Sequence, residues 1–470
     1  MNQSIFRAYD IRGIYPSDID EDAVYRIARG YIRFLQQKPK FQISNFKFQK
    51  SGFKIALGKD VRTSSPALWR AAARGLIDEG AVVTDIGTIS TDMLYFAVGK
   101  YGYDGGIIIS ASHNPAEYNG LKIVREKAIP ISSDSGLFDI RDLAEKIQPP
   151  KLEIRNLKLE ITQQDIMREY VEHNLSFIDK KNIRPFKVVI NANFGMAGVA
   201  AREIVKIGKL PVELIELNCE PDGTFPKGRP DPLIPENRHE VESLIKESGA
   251  DLGVAWDADA DRCFFFDDNG KFVTPAFMTS LMAMHLLAKS DKKGEKIIND
   301  TRIYWPIEDA VKKYGGELIL TKAGHTFIKE KMRQEDALFG AETSAHYYYR
   351  DNFYADNGMI SFLLVLEILS RKEQKLSEII KVYREKYAVS DEMNFEVKDA
   401  AGVLASFKKK YAKGKVDDQD GLSISFPDWR FSLRTSNTEP LVRLNVETRG
   451  DYTLLKRRVS ELSREINNNQ

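Results

Sequence analysis

Three times along the chain a short apolar run, a segment with helical periodicity and a second apolar run follow one another. Lys54 to Leu57 is apolar and closes at Gly58. Ser65 before Pro66 predicts an N-cap with proline at the first helical position, and Leu68, Ala72 and Leu76 carry the helix to a stop at Gly80. Ala81 to Ile86 and Gly106 to Ile109 then read as buried strands. Strand, helix and strand at this spacing predict a right-handed crossover and a parallel or mixed sheet. The order recurs after a linker at Gln148-Pro149-Pro150: Lys187 to Asn191, a glycine-bearing loop at Gly195 to Gly198, a helix, and Val212 to Leu217. It recurs again as Lys296 to Ile298, a helix from Pro306, and Glu317 to Leu320.

The last part has a different rhythm. Leu422 to Phe426, Arg430 to Leu433 and Leu441 to Glu447 alternate apolar and polar residues, with turns at Asp420-Gly421 and Pro427-Asp428. Helical patterns from Ala400 to Tyr411 and from Tyr452 to Ile466 flank them, which predicts a smaller α+β domain with an antiparallel sheet. The stretch from Lys38 to Lys54 holds Phe41, Phe46, Phe48 and Phe53 among lysines; it reads as a solvated loop or hairpin rather than a surface for stacking bases.

A chain of 470 residues predicts about three compact units by length alone. Sixty-nine basic residues against 68 acidic ones leave a formal charge of +1, so neither nucleic acid nor a membrane surface is the expected partner. Cys219 and Cys263, the two cysteines, exclude a disulfide scaffold and a cysteine zinc site, and fit a reducing compartment. The start lacks the apolar core of a signal peptide, and the apolar stretches near 277–288 and 360–369 fall short of the ~20 residues of a membrane span. The expectation is a soluble, cytosolic, multi-domain protein.

Four polar segments interrupt the apolar pattern, each after a predicted strand or between two, where open α/β sheets bind ligands. Ser110-Ala111-Ser112-His113-Asn114-Pro115, continuing to Asn119-Gly120-Leu121-Lys122, suits a nucleophile beside its base and equally a turn capped by its own side chains. Asp257, Asp259 and Asp261 alternate with Ala258 and Ala260 between apolar strands, ahead of Arg262. Three such carboxylates repel unless a cation joins them, and an all-oxygen donor set suits Mg²⁺ or Ca²⁺; the competing reading, an ordinary acidic surface turn, sits less well with such apolar flanks. No EF-hand glycine or glutamate stands at the required offset. Gly340 to His346 offers Glu342, Thr343 and Ser344 either to a polyhydroxylated ligand or to a polar turn. Arg434 to Pro440, with Arg443 beyond, reads as an anion nest suited to phosphate, against a plain Asn/Thr hairpin turn. Neither a P-loop nor G-x-G-x-x-G occurs. His113, His325 and His346 fall in polar segments, whereas His173, His239 and His285 lie in helical patterns and read as structural.

In this order the segments resemble the α-D-phosphohexomutase superfamily from end to end. Phe6-Arg7-Ala8-Tyr9-Asp10-Ile11-Arg12-Gly13 is similar to its opening motif, Ser112-His113-Asn114-Pro115 to its active-site serine loop, and Asp257 to Arg262 to its metal loop. Glu342-Thr343-Ser344 resembles the sugar loop and Arg434 to Pro440 the phosphate loop; Asp222 to Pro226 and Gly324-His325 also stand where the family has them. Ser344-Ala345-His346, the run Tyr347 to Asp351 and Gly358-Met359-Ile360 resemble the bacterial phosphomannomutase branch, and phosphoglucosamine mutases carry a different sugar loop. Two departures stand out. Alanines 258 and 260 replace a usual glycine, so ordinary φ values are expected there. The stretch from Lys38 to Lys54 is also longer than usual.

The resemblance implies an α/β fold: three related α/β domains with mixed sheets and a C-terminal α+β domain around a central cleft, with boundaries at 1–152, 153–270, 271–385 and 386–470. It implies a mutase interconverting mannose 6-phosphate and mannose 1-phosphate through phosphorylated Ser112 and a hexose 1,6-bisphosphate. Mg²⁺ would sit on Ser112, Asp257, Asp259 and Asp261. Arg12, Lys122 and Arg262 would offset the negative charge, to which a phosphoserine adds roughly −1.5 to −2. Lys122 and His325 are the base candidates, and His113 joins the catalytic set. Tyr9, Glu342, Ser344, Arg434, Ser436, Asn437, Thr438 and Arg443 would bind substrate, with a hinge expected near Tyr387 to Asp391. The alternatives are dual specificity toward glucose phosphates and a phosphosugar-binding protein without turnover.

Overall fold

The computed structural model describes residues 1–37, 52–148, 161–435 and 441–468. Most of the Lys38 to Lys54 stretch, Pro149 and Pro150 of the linker, and Ser436, Asn437 and Thr438 lie outside the described residues. The chain forms two compact units, Met1–Phe272 with Asp351–Arg371 and Val273–Arg350 with Lys372–Gln470. Each unit contains two sheets, so the chain has the expected four-domain architecture: three mixed α/β sheets and one antiparallel sheet.

In the first unit, Lys54–Lys59 pairs in parallel with Val82–Thr88 on one side and Gly105–Ile109 on the other. Gly105–Ile109 then turns back into the antiparallel Tyr118–Arg125, which Ile11–Ile14 covers. The winding therefore changes direction at Lys54–Lys59, and the polar segment from Ser110 follows the last parallel strand at that switch point. Asn119 to Lys122, read above as a continuation of the polar segment, lies inside the strand Tyr118–Arg125. Its side chains alternate across the sheet, which sets Lys122 at a fixed register opposite Ile108. The helix after Lys54–Lys59 spans Ser65–Asp78, and Ser65 does not cap it: its hydroxyl is committed to Asp60 Oδ1 at 2.5 Å. That helix packs against Glu21–Gln37 so closely that a Cβ on Gly75 would lie 2.4 Å from the Tyr25 carbonyl oxygen.

The second sheet repeats the plan. Phe186–Asn191 is flanked in parallel by Val212–Leu217 and Leu252–Trp256, and Leu252–Trp256 turns back into the antiparallel Cys263–Phe266. Phe264, Phe265 and Phe266 are buried, each contributing roughly 1.5–3 kcal/mol, so the hairpin that carries the three aspartates is anchored by its apolar arms. The helix Gly358–Lys372 also belongs largely to this unit; Phe362 meets Trp256 edge to face and Glu367 accepts the Asp179 amide.

In the second unit Lys296–Asp300 pairs in parallel with Glu317–Thr321 and Phe339–Ala341, and Phe339–Ala341 turns back into the antiparallel Tyr347–Tyr349. Three sheets thus place one hairpin each at the same topological position: 110–117, 257–262 and 342–346. The fourth sheet is antiparallel, in the order Ala388–Val389, Leu441–Thr448, Trp429–Thr435, Leu422–Ser425 and Lys415–Asp417, with Met393–Glu396 also on Leu441–Thr448. Helices Ala400–Lys410 and Tyr452–Asn468 pack on it around Phe407, Phe431 and Leu462. At the expected hinge, Tyr387 donates to Asp309 at 2.5 Å and Ser390 to the Val446 carbonyl. Among the described residues no helix is long and apolar enough to cross a membrane.

Candidate active site

Ser112 sits three residues past the end of Gly105–Ile109, with φ +51. A left-handed serine costs roughly 1–2 kcal/mol, and here its surroundings impose it. Arg62 is the reason. Its side chain is buried and donates to the carbonyls of Ser112 (2.7 Å), Asn114 (2.7 Å), Pro115 (2.6 Å) and Tyr118 (3.0 Å). Asp60 at 3.2 Å balances its charge, and the guanidinium lies 4.8 Å from the centre of the Phe225 ring. Arg62 also bridges Gly223, so the Asp222 to Pro226 motif serves as a brace for the serine loop. Sequence reasoning missed Arg62; its position just past a parallel strand at the switch point was the available signal.

The Ser112 hydroxyl contacts His113 Nδ1 at 3.2 Å and donates to Asp257 Oδ2 at 3.4 Å. Enclosure, and then the charges of Arg262, Arg12 and Arg229, hold His113 well below the usual imidazole range, so it is neutral. Arg12 donates from Nε to Asp10 at 2.7 Å, and from its terminal nitrogen to Asn114 Oδ1 at 2.6 Å and the Ala111 carbonyl at 3.3 Å. Tyr9, next to Asp10, is half-buried.

Asp257, Asp259 and Asp261 are buried, and one oxygen from each lies within 4.8 Å of the others. The six-residue hairpin loop brings them together, not a regular strand face. It does so with Ala260 at φ +57, which corrects the expectation of ordinary φ values: the turn needs a left-handed residue, and an alanine takes that conformation. The loop is held by the Ala260 amide on the Asp257 carbonyl (3.0 Å) and by the Gly358 amide on the Ala260 carbonyl (3.3 Å).

Lys122 Nζ donates to Asp259 at 2.6 Å and to Asp261 at 2.5 Å. Burial opposes its charge, but the two carboxylates prevail and raise it well above the usual lysine range. Arg262 donates to Asp257 at 2.7 Å and to Asp231 at 3.2 Å, and is raised likewise against burial. Thr91, another residue the sequence reading missed, donates its hydroxyl to Asp259 at 2.7 Å. Among the described residues Asp259 Oδ1 is buried and accepts no hydrogen bond. An orphaned carboxylate oxygen, two companion carboxylates and a serine hydroxyl form a hard, all-oxygen donor set, so these residues fit a divalent cation of the Mg²⁺ kind.

The second unit holds the other predicted residues. Glu342 accepts the Gly324 amide (2.8 Å) and the Tyr348 hydroxyl (2.5 Å), and Arg302 approaches it at 3.6 Å. Ser344 Oγ lies 3.1 Å from His346 Nδ1. His325 opens the helix His325–Glu335, its ring stacked on His346 with centroids 6.4 Å apart. Asp300 fixes the loop by accepting the Thr343 amide (2.7 Å) and hydroxyl (3.1 Å) while pairing with Arg302 at 2.8 Å. Arg434 and Arg443 stand directly opposite each other on neighbouring strands. Like charges in that register repel, so the pair calls for an anion. His173, His239 and His285 lie in helices, as expected.

Profile models described as phosphoglucomutase/phosphomannomutase alpha/beta/alpha domain I, domain II and domain III, and C-terminal domain, match residues 3–151, 168–270, 275–387 and 392–465. A phosphomannomutase of Escherichia coli is 44% identical over 463 residues, 97% of this chain and 98% of that protein. A protein of Xanthomonas campestris pv. campestris described as phosphohexose mutases is 43% identical over 465 residues, 98% and 99% of the two chains. The crystal structure of a phosphoglucomutase/phosphomannomutase family protein from Burkholderia thailandensis superposes with a TM-score of 0.84 at 29% identity, covering 99% and 97%.

Proposed function

The chain belongs to the phosphoglucomutase/phosphomannomutase family and is a phosphohexose mutase, and on that premise we propose that it interconverts mannose 6-phosphate and mannose 1-phosphate through phosphorylated Ser112. The observation that carries the reading is the convergence of Ser112 Oγ, Asp257, Asp259, Asp261 and Lys122 in one buried cluster.

In the forward step a sugar hydroxyl attacks the phosphorus on Ser112. The new oxygen–phosphorus bond forms as the serine ester breaks, the hydroxyl proton passes to a base, and a hexose 1,6-bisphosphate results. After the sugar reorients, its other phosphoryl group returns to Ser112. A divalent cation such as Mg²⁺, held by Asp257, Asp259, Asp261 and the Ser112 oxygen, would supply Lewis-acid stabilisation to the transferring group. Arg262 and Arg12 offset the charge of the phosphoserine; Arg12 holds the serine loop through Asn114 and the Ala111 carbonyl, and Arg262 holds the aspartate loop through Asp257. Lys122, held between Asp259 and Asp261, balances their charge, and it and His325 are the two candidate bases. His113 Nδ1 lies 3.2 Å from the Ser112 oxygen and lines the nucleophile before phosphorylation. Glu342 and Ser344 take the sugar hydroxyls, and Arg434 and Arg443, with Ser436, Asn437 and Thr438, take the phosphate that is not reacting. Tyr9 completes the substrate set.

Intact mass after incubation with glucose 1,6-bisphosphate tests the nucleophile. The parent should gain one phosphoryl group, and Ser112→Ala should gain none while still binding mannose 1-phosphate. A parent that never gains mass would instead be a phosphosugar binder. Relative turnover on mannose and glucose 1-phosphates reads out dual specificity.

A further inference from the structure

We propose that Glu392 is an internal anion that occupies the phosphate-binding arginines until substrate phosphate displaces it. This rests on the reading that Arg434 and Arg443 hold the non-reacting phosphate. Glu392 lies on the link between strands Ala388–Val389 and Met393–Glu396. Its carboxylate is 3.4 Å from Arg302, 3.6 Å from Arg443 and 3.9 Å from Arg434, one side chain spanning three guanidinium groups.

The charges around it decide what it does. Arg302 is matched by Asp300 at 2.8 Å, and Arg434 by Asp420 at 2.9 Å, a carboxylate that also accepts the Ala323 amide. Among the described residues Glu392 is then the counter-charge left for Arg443, which stands opposite Arg434 on the neighbouring strand. The three acids differ in how firmly they are held. Asp300 is buried with two further donors on it, and Asp420 has short contacts to two elements; the Glu392 side chain is 26% exposed and makes only long contacts. It is the one that can leave. While it stays, the arginines are held apart from each other's charge and aimed at a common point. A phosphate arriving there meets a carboxylate it must push aside, which lowers affinity. A mutase has use for that: it must release one phosphate end and take up the other, and too tight a grip would stall the bisphosphate.

The test is Glu392→Gln in the full chain, titrated calorimetrically with mannose 1-phosphate and with inorganic phosphate, alongside steady-state kinetics. The neutral, equally sized side chain should bind both about three- to tenfold more tightly, with a matching fall in KM and no rise in kcat. Glu392→Asp, which keeps the charge, should bind no more tightly than the parent. Unchanged or weaker binding by Glu392→Gln overturns the proposal, because a carboxylate that merely orients the arginines would be missed, not relieved. Arg434→Gln and Arg443→Gln separate the two levels. If they weaken binding while Glu392→Gln does not tighten it, only the competing role falls. If both arginine variants bind like the parent, the phosphate site itself is elsewhere and the proposal falls with it.

Discussion

Lys122 Nζ and Asp259 Oδ2 are 2.6 Å apart, and the same ammonium reaches Asp261 at 2.5 Å. A strand residue of one sheet thereby neutralises the hairpin loop of another. Replacing it with Met should leave a buried, uncompensated charge and cost about 3–5 kcal/mol of stability. Millimolar Mg²⁺ should restore most of that, because a cation among the aspartates supplies the missing charge. Urea unfolding with and without Mg²⁺ checks this, and an equal loss in both would refute a shared cation position. Turnover should fall at least ~100-fold in either case.

Asp92 gives a pH dependence with a definite sign. Burial lifts it from 3.8 to about 7, and the hydroxyls of Ser90 and Tyr170, which donate to it, hold it from rising further. Between those two values the folded chain binds more protons than the unfolded chain, so this group's contribution to stability falls as pH rises and levels off above about 7. Asp92→Asn removes the titration. Relative to the parent, its stability should improve by roughly 2–3 kcal/mol between pH 5 and pH 8. Denaturant midpoints at the two pH values measure it; a constant difference would mean that Asp92 titrates normally.

Arg62→Lys keeps a positive charge but cannot reach four carbonyls with a planar fork. We expect a loss of about 2–4 kcal/mol from unsatisfied buried acceptors. Phosphorylation of Ser112 by glucose 1,6-bisphosphate should slow by more than tenfold, even at temperatures where the variant is fully folded. Rapid-quench mass measurement reports the rate, and a parent-like rate would show that Ser112 keeps its position without Arg62.

Ala258→Gly and Ala260→Gly should differ in outcome. At Ala258 the added backbone freedom costs about 0.5–1 kcal/mol. At Ala260, where φ is +57, relief of the left-handed strain offsets that cost and the variant should match or exceed the parent. Thermal melts of the two proteins decide it.

The elements of the fold were largely legible in the sequence where apolar runs and helix stops coincide, as from Lys54 to Gly80 and from Leu422 to Glu447. Boundaries and roles slipped where a side chain had a tertiary partner: Ser65 reads as a cap, but Asp60 claims its hydroxyl. The three aspartates were legible as a candidate cation site because alternating carboxylates between apolar strands need a chemical reason, whereas Ser112 read equally as part of a capped turn and was singled out only by the resemblance. Arg62, Thr91, Asp300 and Glu392 were not. Each acts through a partner distant in sequence, and a lone arginine or threonine beside a strand looks like ordinary surface until the sheet order is known.

The stretch from Glu342 to His346 begins and ends on paired strands of its own sheet, with Ala341 opposite Tyr347. Such a stretch behaves as a cassette. If it meets the sugar as proposed, exchanging it for the corresponding residues of a relative would alter what is offered to that sugar while the sheet beneath keeps its registration. Preference among hexoses would then drift, or be engineered, one hairpin at a time, with the chemistry proposed at Ser112 inherited intact.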